Sequence, residues 1–348
     1  MSLNCLKDLK TKESFDDSTT LAYDKLSGFI VSDWKIFEII GKGGFGCVYR
    51  CSSMKDRSQA AFKAEKDNEI NTADVLFECK ILQLLEKEGI SEHFTHVFDF
   101  GQCLNFQFMV VTLLGPNLYE ICSYLPEEKY ELSTWVRVMY QILESIQYLH
   151  KVGYIHNDLK PGNFVIGNKY DIKRRNVIHL VDFGLASKYG DEKNPVNLKY
   201  KTEKKGIEYI GTITHCSPNA HLRTELGRRD DIWGWLFLSM DFYNEMPWTN
   251  LVTEEEIEAC KLSLKIENYC QYLPHEYNII LENLKILGVY DEPKYSLYYN
   301  QLELIIKKYN ISWDDPYQWE LLPFEAKEVL NLSVSKELSL DMTQENDT

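Results

Sequence analysis

His156-Asn157-Asp158-Leu159-Lys160-Pro161-Gly162-Asn163 is followed, nineteen residues after Asn163, by Asp182-Phe183-Gly184. A polar turn and the apolar run Val177-Ile178-His179-Leu180-Val181 separate the two. The first segment fits H-x-D-x-K-x-x-N and the second D-F-G. Together they offer two carboxylates, a carboxamide and a lysine. Asp158 can orient a hydroxyl and accept its proton. Lys160 can offset charge on a group in transit. Asn163 and Asp182 supply the oxygen ligands that a hard ion such as Mg2+ prefers. Moving a phosphoryl group asks for positioning and charge neutralisation rather than covalent help, and these residue types provide both. The competing reading is two unrelated polar loops.

Upstream, Gly41-Lys42-Gly43-Gly44-Phe45-Gly46 fits G-x-G-x-x-G. Glycines let a backbone approach phosphate oxygens with no Cβ in the way. Alone, the motif also fits a plain hairpin or a dinucleotide-binding turn. The dinucleotide fold needs a helix directly after the last glycine, whereas Cys47-Val48-Tyr49-Arg50-Cys51 reads as a strand. The acids that fold would want about twenty residues on, here Glu65 and Asp67, are taken as coincidence. Strand, glycine loop and strand, completed by Val48, is the protein-kinase arrangement. Ala61-Phe62-Lys63 then matches the A-x-K of a third strand. Lys63 can pair with phosphates there, held by Glu78 on the following helix. Taken alone, the two would read as a surface lysine and a surface glutamate.

Around these motifs the chain changes character once. Trp34–Ile40, Cys47–Cys51 and Ala60–Glu65 read as strands. Thr72–Leu85 shows helical spacing through Leu76, Cys79, Leu82 and Leu85, and Phe94–Phe100 and Phe106–Leu113 are two more strands. After Gly115-Pro116 the pattern is helical. Ser133 is placed to cap a long helix with Trp135, Val138, Met139, Ile142, Ile146 and Leu149 on one face. Thr253-Glu254-Glu255-Glu256 is a capping-box signature. Tyr298, Leu302, Ile305, Ile306 and Tyr309 form a further stripe, read as core. The expected class is α+β, a small sheet-rich lobe and a larger helical one joined near Thr112–Pro116, with a ligand in the cleft between them. Residues 1–33 are expected as a loosely ordered extension, 34–320 as the domain (lobes 34–112 and 113–320), and 321–348 as a short polar tail that frays.

The chain of 348 residues is 44% hydrophobic and 26% charged, a globular composition. Its net charge of −15 argues against wrapping nucleic acid or coating an anionic membrane. No stretch reaches the roughly 18–20 apolar residues of a membrane span. The N-terminus, with Lys7, Asp8, Lys10, Lys12 and Glu13, is no secretory signal. Nine scattered cysteines without a CxxC pair suggest neither a disulfide framework nor a zinc site, and fit a reducing compartment. The expectation is an intracellular monomer, in cytoplasm or nucleus.

With these motifs in order, the chain resembles the eukaryotic protein kinases. Within them it is similar to the casein kinase I group, through Leu113-Leu114-Gly115-Pro116-Asn117-Leu118, Ser217-Pro218-Asn219-Ala220-His221, Arg228-Arg229-Asp230-Asp231-Ile232-Trp233 and Pro247-Trp248. Leu273-Pro274-His275-Glu276-Tyr277-Asn278, Asp291-Glu292-Pro293-Lys294-Tyr295 and Asp315-Pro316-Tyr317-Gln318-Trp319-Glu320 look like the tau-tubulin kinase branch. The resemblance runs from Trp34 to Glu320. It implies a two-lobed protein-kinase fold, with an antiparallel-sheet N-lobe bearing one main helix and a mainly helical C-lobe. It implies transfer of the ATP γ-phosphate to serine or threonine hydroxyls of protein substrates, with Mg2+ as cofactor. Asp158 would then be the base, with Asn163 and Asp182 holding the metal. Gly41, Gly43 and Gly46 would cover the phosphates, and Lys63 would pair with them. Ile40, Val48, Ala61 and Val165 would sandwich adenine, Val111 would be the gatekeeper, and the backbone around Thr112, Leu113 and Leu114 would bind the adenine edge. Asp231 would brace the catalytic loop. Lys160 with Thr212 looks like the serine/threonine pattern. The second reading is a pseudokinase-type scaffold that binds nucleotide without efficient transfer. The presence of Lys63, Glu78, Asp158, Asn163 and Asp182 together favours the enzyme.

Two departures bear on regulation and substrate. Asn157 replaces the arginine of H-R-D, which commonly meets an activation-loop phosphate, so switching through that contact is not expected. Gly211-Thr212-Ile213-Thr214-His215 lacks the arginine of the group's G-T-x-R-Y, and neither Thr214 nor His215 reproduces a guanidinium fork. Lys188, Lys193, Lys199, Lys201, Lys204 and Lys205, with Lys173-Arg174-Arg175 upstream, make a basic rim that could draw acidic substrates.

Overall fold

Strand β5 (Gln59–Lys66) shows how the first part of the chain is built. Its two-residue period sends Ala60, Phe62 and Ala64 into a buried core and turns Ala61, Lys63 and Glu65 to the opposite face. The core side is shared with Tyr49 and Cys51 of β4 (Gly46–Ser53) and with Phe108 and Val110 of β7 (Phe106–Thr112). The Phe62 and Phe108 rings stack there at 4.9 Å. With β1 (Leu6–Lys7), β2 (Ile30–Val31), β3 (Trp34–Lys42) and β6 (Val97–Cys103), these form an antiparallel sheet ordered β1-β2-β3-β4-β5-β7-β6. Helix α1 (Val75–Lys87) buries Val75, Glu78, Cys79, Ile81, Leu82 and Leu85. The computed structural model describes residues 6–7, 23–43, 46–66, 75–103, 106–189 and 204–332. They fall into two compact units, Met1–Leu114 with Val181–Gly184, and Gly115–Leu180 with Leu185–Thr348.

The second unit is helical. It contains α2 (Leu118–Cys122), α3 (Leu132–Lys151), α4 (Pro218–His221), α5 (Arg228–Tyr243), α6 (Glu254–Ser263), α7 (Tyr277–Lys285), α8 (Tyr295–Lys308) and α9 (Phe324–Val329). Two short antiparallel pairs, β9 (Phe164–Ile166) with β10 (Ile178–Leu180) and β8 (Tyr154–Ile155) with β11 (Ser187–Lys188), complete it. Helix α5 is buried nearly all round: residues 232–238 are almost wholly apolar, and the buried Arg229, Asp230 and Asp231 of its first turn are met by hydrogen bonds. It crosses α3 with two reciprocal bonds: Trp135 Nε1 donates to the Ser239 carbonyl and Trp235 Nε1 to the Met139 carbonyl, each at 2.9 Å. The buried Arg137 guanidinium of α3 donates to the carbonyls of Trp313, Asp315 and Pro316 (3.4, 2.5 and 3.2 Å) and lies over the Tyr317 ring. It thereby ties down the Asp315–Glu320 segment.

Several expectations need correcting. Ser133 does not cap α3; Glu131 occupies the N-cap, and the Ser133 carbonyl and hydroxyl accept from Arg137 instead. Tyr309 leaves the α8 stripe: Tyr298, Leu302 and Ile305 are buried, but Tyr309 follows the last helical turn and is exposed. Leu26 and Val31 join the sheet's core and Ile30 is buried on β2, so order begins before Trp34. The tail does not fray at once, since α9 follows Pro323 and Leu330 and Leu332 are buried. Cys103 is disulfide-bonded, although the cysteine pattern suggested no disulfide, while seven other described cysteines are free. Thr253 does cap α6 as expected, accepting from the Glu256 amide at 3.2 Å while Glu256 accepts from the Thr253 amide.

Candidate active site

In the first unit, Lys63 is surrounded by carboxylates. It hydrogen-bonds Glu78 of α1 and lies 3.1 Å from Glu65 and 3.5 Å from Asp182. Burial opposes the charge on Lys63, but Glu78, Asp182 and Glu65 outweigh it and hold its pKa well above the ordinary lysine value. Glu65 is the member that sequence reading set aside. Its signal was strand period: two residues beyond Lys63, it must share that face. Asp67 lies outside the described residues. Asp182 has φ +65°, a left-handed conformation that aspartate tolerates better than most residues. Phe183 is buried beside Phe94. Register places Val48 opposite Lys63 and Ala61 opposite Val111, so these side chains share one sheet face. Gly46 needs to be glycine for packing as well as for any ligand. A Cβ there would meet the Ala64 carbonyl at 2.3 Å and Glu65 Cγ at 2.7 Å. Gly41 and Gly43 have room. Ile40 is exposed, and Thr112, Leu113 and Leu114 are half-buried at the end of β7.

In the second unit Lys160, Asn163 and Thr212 converge on Asp158. Lys160 Nζ donates to Asp158 Oδ2 at 2.5 Å, and the Thr212 hydroxyl donates to Oδ1 at 2.6 Å. Asn163 Nδ2 donates to the Asp158 carbonyl at 2.8 Å, which leaves its amide oxygen as the atom it can offer a metal. Amide and carboxylate oxygens are the kind of donor that suits Mg2+, and Asn163 and Asp182 each offer one within their own unit. Val165 is half-buried on β9 and bridges Asn117.

The loop is braced from behind. Asp231 accepts from the His156 amide (2.7 Å), the Asn157 amide (3.0 Å) and His150 Nε2 (2.9 Å). Burial works against its charge, yet the bonds from His150 and the His156 amide hold the carboxyl below the ordinary aspartate range. His150 Nδ1 in turn meets the Tyr295 hydroxyl at 2.5 Å. Asp291-Glu292-Pro293-Lys294-Tyr295, a motif noted only as a resemblance, thus reaches the catalytic loop through two side chains. Asn157 has φ +67°. Ser217, Asn219 and the Gly227 amide all donate to Asp230, at 2.6, 2.8 and 2.8 Å. His215 sits between Thr214 Oγ1 and Asp241, so it is engaged within the fold. Of the basic rim, Lys173, Lys188, Lys204 and Lys205 are exposed, and Lys193, Lys199 and Lys201 lie outside the described residues.

Residues 34–305 match the family model described as protein kinase domain. A probable serine/threonine-protein kinase of Dictyostelium discoideum is 28% identical over 289 residues, which is 83% of this chain and 56% of that protein. The chain therefore spans little more than half the length of that relative. No helix among the described residues is long and apolar enough to cross a membrane. An antiparallel-sheet N-lobe carrying Lys63 and Glu78, a helical C-lobe carrying Asp158 and Asn163, and a family match over most of the length agree: the chain belongs to the protein kinase domain family.

Proposed function

We propose that the protein is a serine/threonine kinase that transfers the γ-phosphate of ATP to protein hydroxyls. The observation that carries this reading is the Asp158 carboxylate, one oxygen held by Lys160 and the other by Thr212. Asp158 orients the incoming hydroxyl and takes its proton. Lys160 neutralises charge on the group being transferred. Lys63, held by Glu78, pairs with the nucleotide phosphates, while Val48, Ala61, Val111 and Val165 provide the apolar surface for adenine. Asn163 and Asp182 are the residues that would hold magnesium, which would supply charge neutralisation at the phosphates. Similarity in the Gly115-Pro116, Asp291–Tyr295 and Asp315–Glu320 segments supports placement in the casein kinase I group, near the tau-tubulin kinase branch. Exposed Lys204 and Lys205 support acidic protein substrates. The protein is proposed to act as an intracellular monomer. Radiolabelled ATP, Mg2+ and casein test the reading. Wild type should label casein, and Asp182→Asn should label it at least about a hundredfold more slowly. Equal labelling by both rejects the mechanism, and nucleotide binding without transfer by wild type would favour the scaffold reading.

A further inference from the structure

Lys261 lies on α6 and is 1% exposed. No described carboxylate pairs with it; the Cys216 thiol lies beside it, with Sγ 3.9 Å from the ammonium. Around Cys216 stand the Tyr209 hydroxyl (3.3 Å) and His221 (3.4 Å), and Glu258 faces the far side of His221. The Lys261 ammonium rests 4.7 and 4.8 Å from the ring centroids of Phe237 and Trp248. Burying a charge without a counter-charge is expensive. An ordinary packing position in this apolar setting would be filled by methionine or leucine.

What the ammonium supplies is found in the turn before Ser217. The amides of His215 and Cys216 both close on the Thr212 carbonyl, at 3.0 and 2.8 Å. The carbonyls of Ile213, Thr214 and Cys216 must then find donors elsewhere. Lys261 Nζ donates to Ile213 (2.7 Å) and to Cys216 (2.8 Å), and Trp248 Nε1 donates to Thr214 (3.1 Å). The same turn carries Thr212, whose hydroxyl holds Asp158. We propose that Lys261 is a positioning residue, whose ammonium fixes the 212–216 turn so that Thr212 stays on the Asp158 carboxylate. This rests on the kinase reading above. A methionine at 261 would keep the volume but leave the Cys216 carbonyl without its donor and the Ile213 carbonyl with only the weak Cys216 thiol at 3.6 Å, and the turn would relax at the point where it meets the catalytic loop.

The test uses the full chain with ATP, Mg2+ and casein, in Lys261→Met, Thr212→Ala and the double variant. Lys261→Met should lower kcat roughly tenfold or more while KM for ATP stays within about twofold. Thr212→Ala should do likewise, and the double variant should be little worse than the poorer single one, because both changes remove the same contact. Lys261→Arg, which still carries donors for both carbonyls, should recover part of kcat. An unchanged kcat, or losses that multiply in the double variant, would overturn the inference. Should Lys261→Met fail to fold, Trp248→Phe removes the indole donor from the same turn while keeping an aromatic ring, and must show the same non-additivity with Thr212→Ala; independent losses there overturn it too. Failure of the kinase reading looks different: wild type itself transfers nothing, and the inference falls with it.

Discussion

Asn157 Nδ2 donates to Ser187 Oγ at 2.9 Å and to the Leu185 carbonyl at 2.8 Å, joining the catalytic loop to the segment that follows Asp182-Phe183-Gly184. The neighbouring pairing of β8 with β11 runs alongside this contact. Where an arginine would wait for a phosphate, the asparagine makes its bonds within the unmodified chain. Its φ of +67° suits asparagine, which tolerates the left-handed region. Turnover should therefore survive phosphatase treatment of the purified protein unchanged; loss of turnover would discard the idea. Asn157→Ala should destabilise the fold by about 2–3 kcal/mol, from two lost hydrogen bonds and left-handed strain, read as a shift in denaturant midpoint.

The carboxylates around Lys63 should not be equivalent. Glu78 makes the hydrogen bond and is the most buried of the three. Glu78→Gln is expected to cut kcat/KM by about a hundredfold, and Glu65→Gln by about tenfold or less, with Lys63→Met the most severe. Steady-state kinetics on the three variants check the ranking. Equal losses for Glu65 and Glu78 would contradict it.

The glycine motif makes a steric prediction that separates its members. Gly46→Ala forces a Cβ into the Ala64 carbonyl and should cost about 1–3 kcal/mol of stability. Gly43→Ala meets nothing within 4 Å and should leave stability unchanged. Thermal unfolding of both variants decides this, and a stable Gly46→Ala protein would show that β4 and β5 can part at that point.

Lys261 gives a pH signature. Burial lowers its pKa from 10.5 to about 8, with Cys216 and Cys260 opposing. Because the folded pKa lies below the unfolded one, the unfolded chain binds more protons between them, and this group's contribution to stability rises with pH over that window. Relative to Lys261→Met, wild type should gain up to about 3 kcal/mol between pH 8 and 10.5. Urea titrations of both proteins at several pH values measure the difference. A difference that stays flat with pH would mean that the amine titrates normally.

Much of the fold is legible in the sequence. The strands appear within a few residues of their expected positions because alternation and β-branching mark half-buried strands. The face of α3 from Trp135 to Leu149 is buried as its spacing dictates. What could not be read were contacts made by residues distant in sequence. Glu65 reads as incidental against a dinucleotide-binding motif, and as a neighbour of Lys63 only against the period of its own strand. Lys261 follows Glu254-Glu255-Glu256 on a helix that reads as a solvated charged face, and nothing local shows its ammonium turned inward. Ser133 carried the right chemistry for a cap, but an arginine one turn on took its oxygens. The link from Tyr295 through His150 to Asp231 joins three elements that no local pattern connects.

The Arg137 clamp sets a limit on protein engineering. Its acceptors, the carbonyls of Trp313, Asp315 and Pro316, come from far downstream, so a fragment trimmed to residue 312 would strand a guanidinium in the bundle interior. Residues 313–320 serve as a plug that the helices need in order to close, and a shortened gene product or fusion joint should leave them intact.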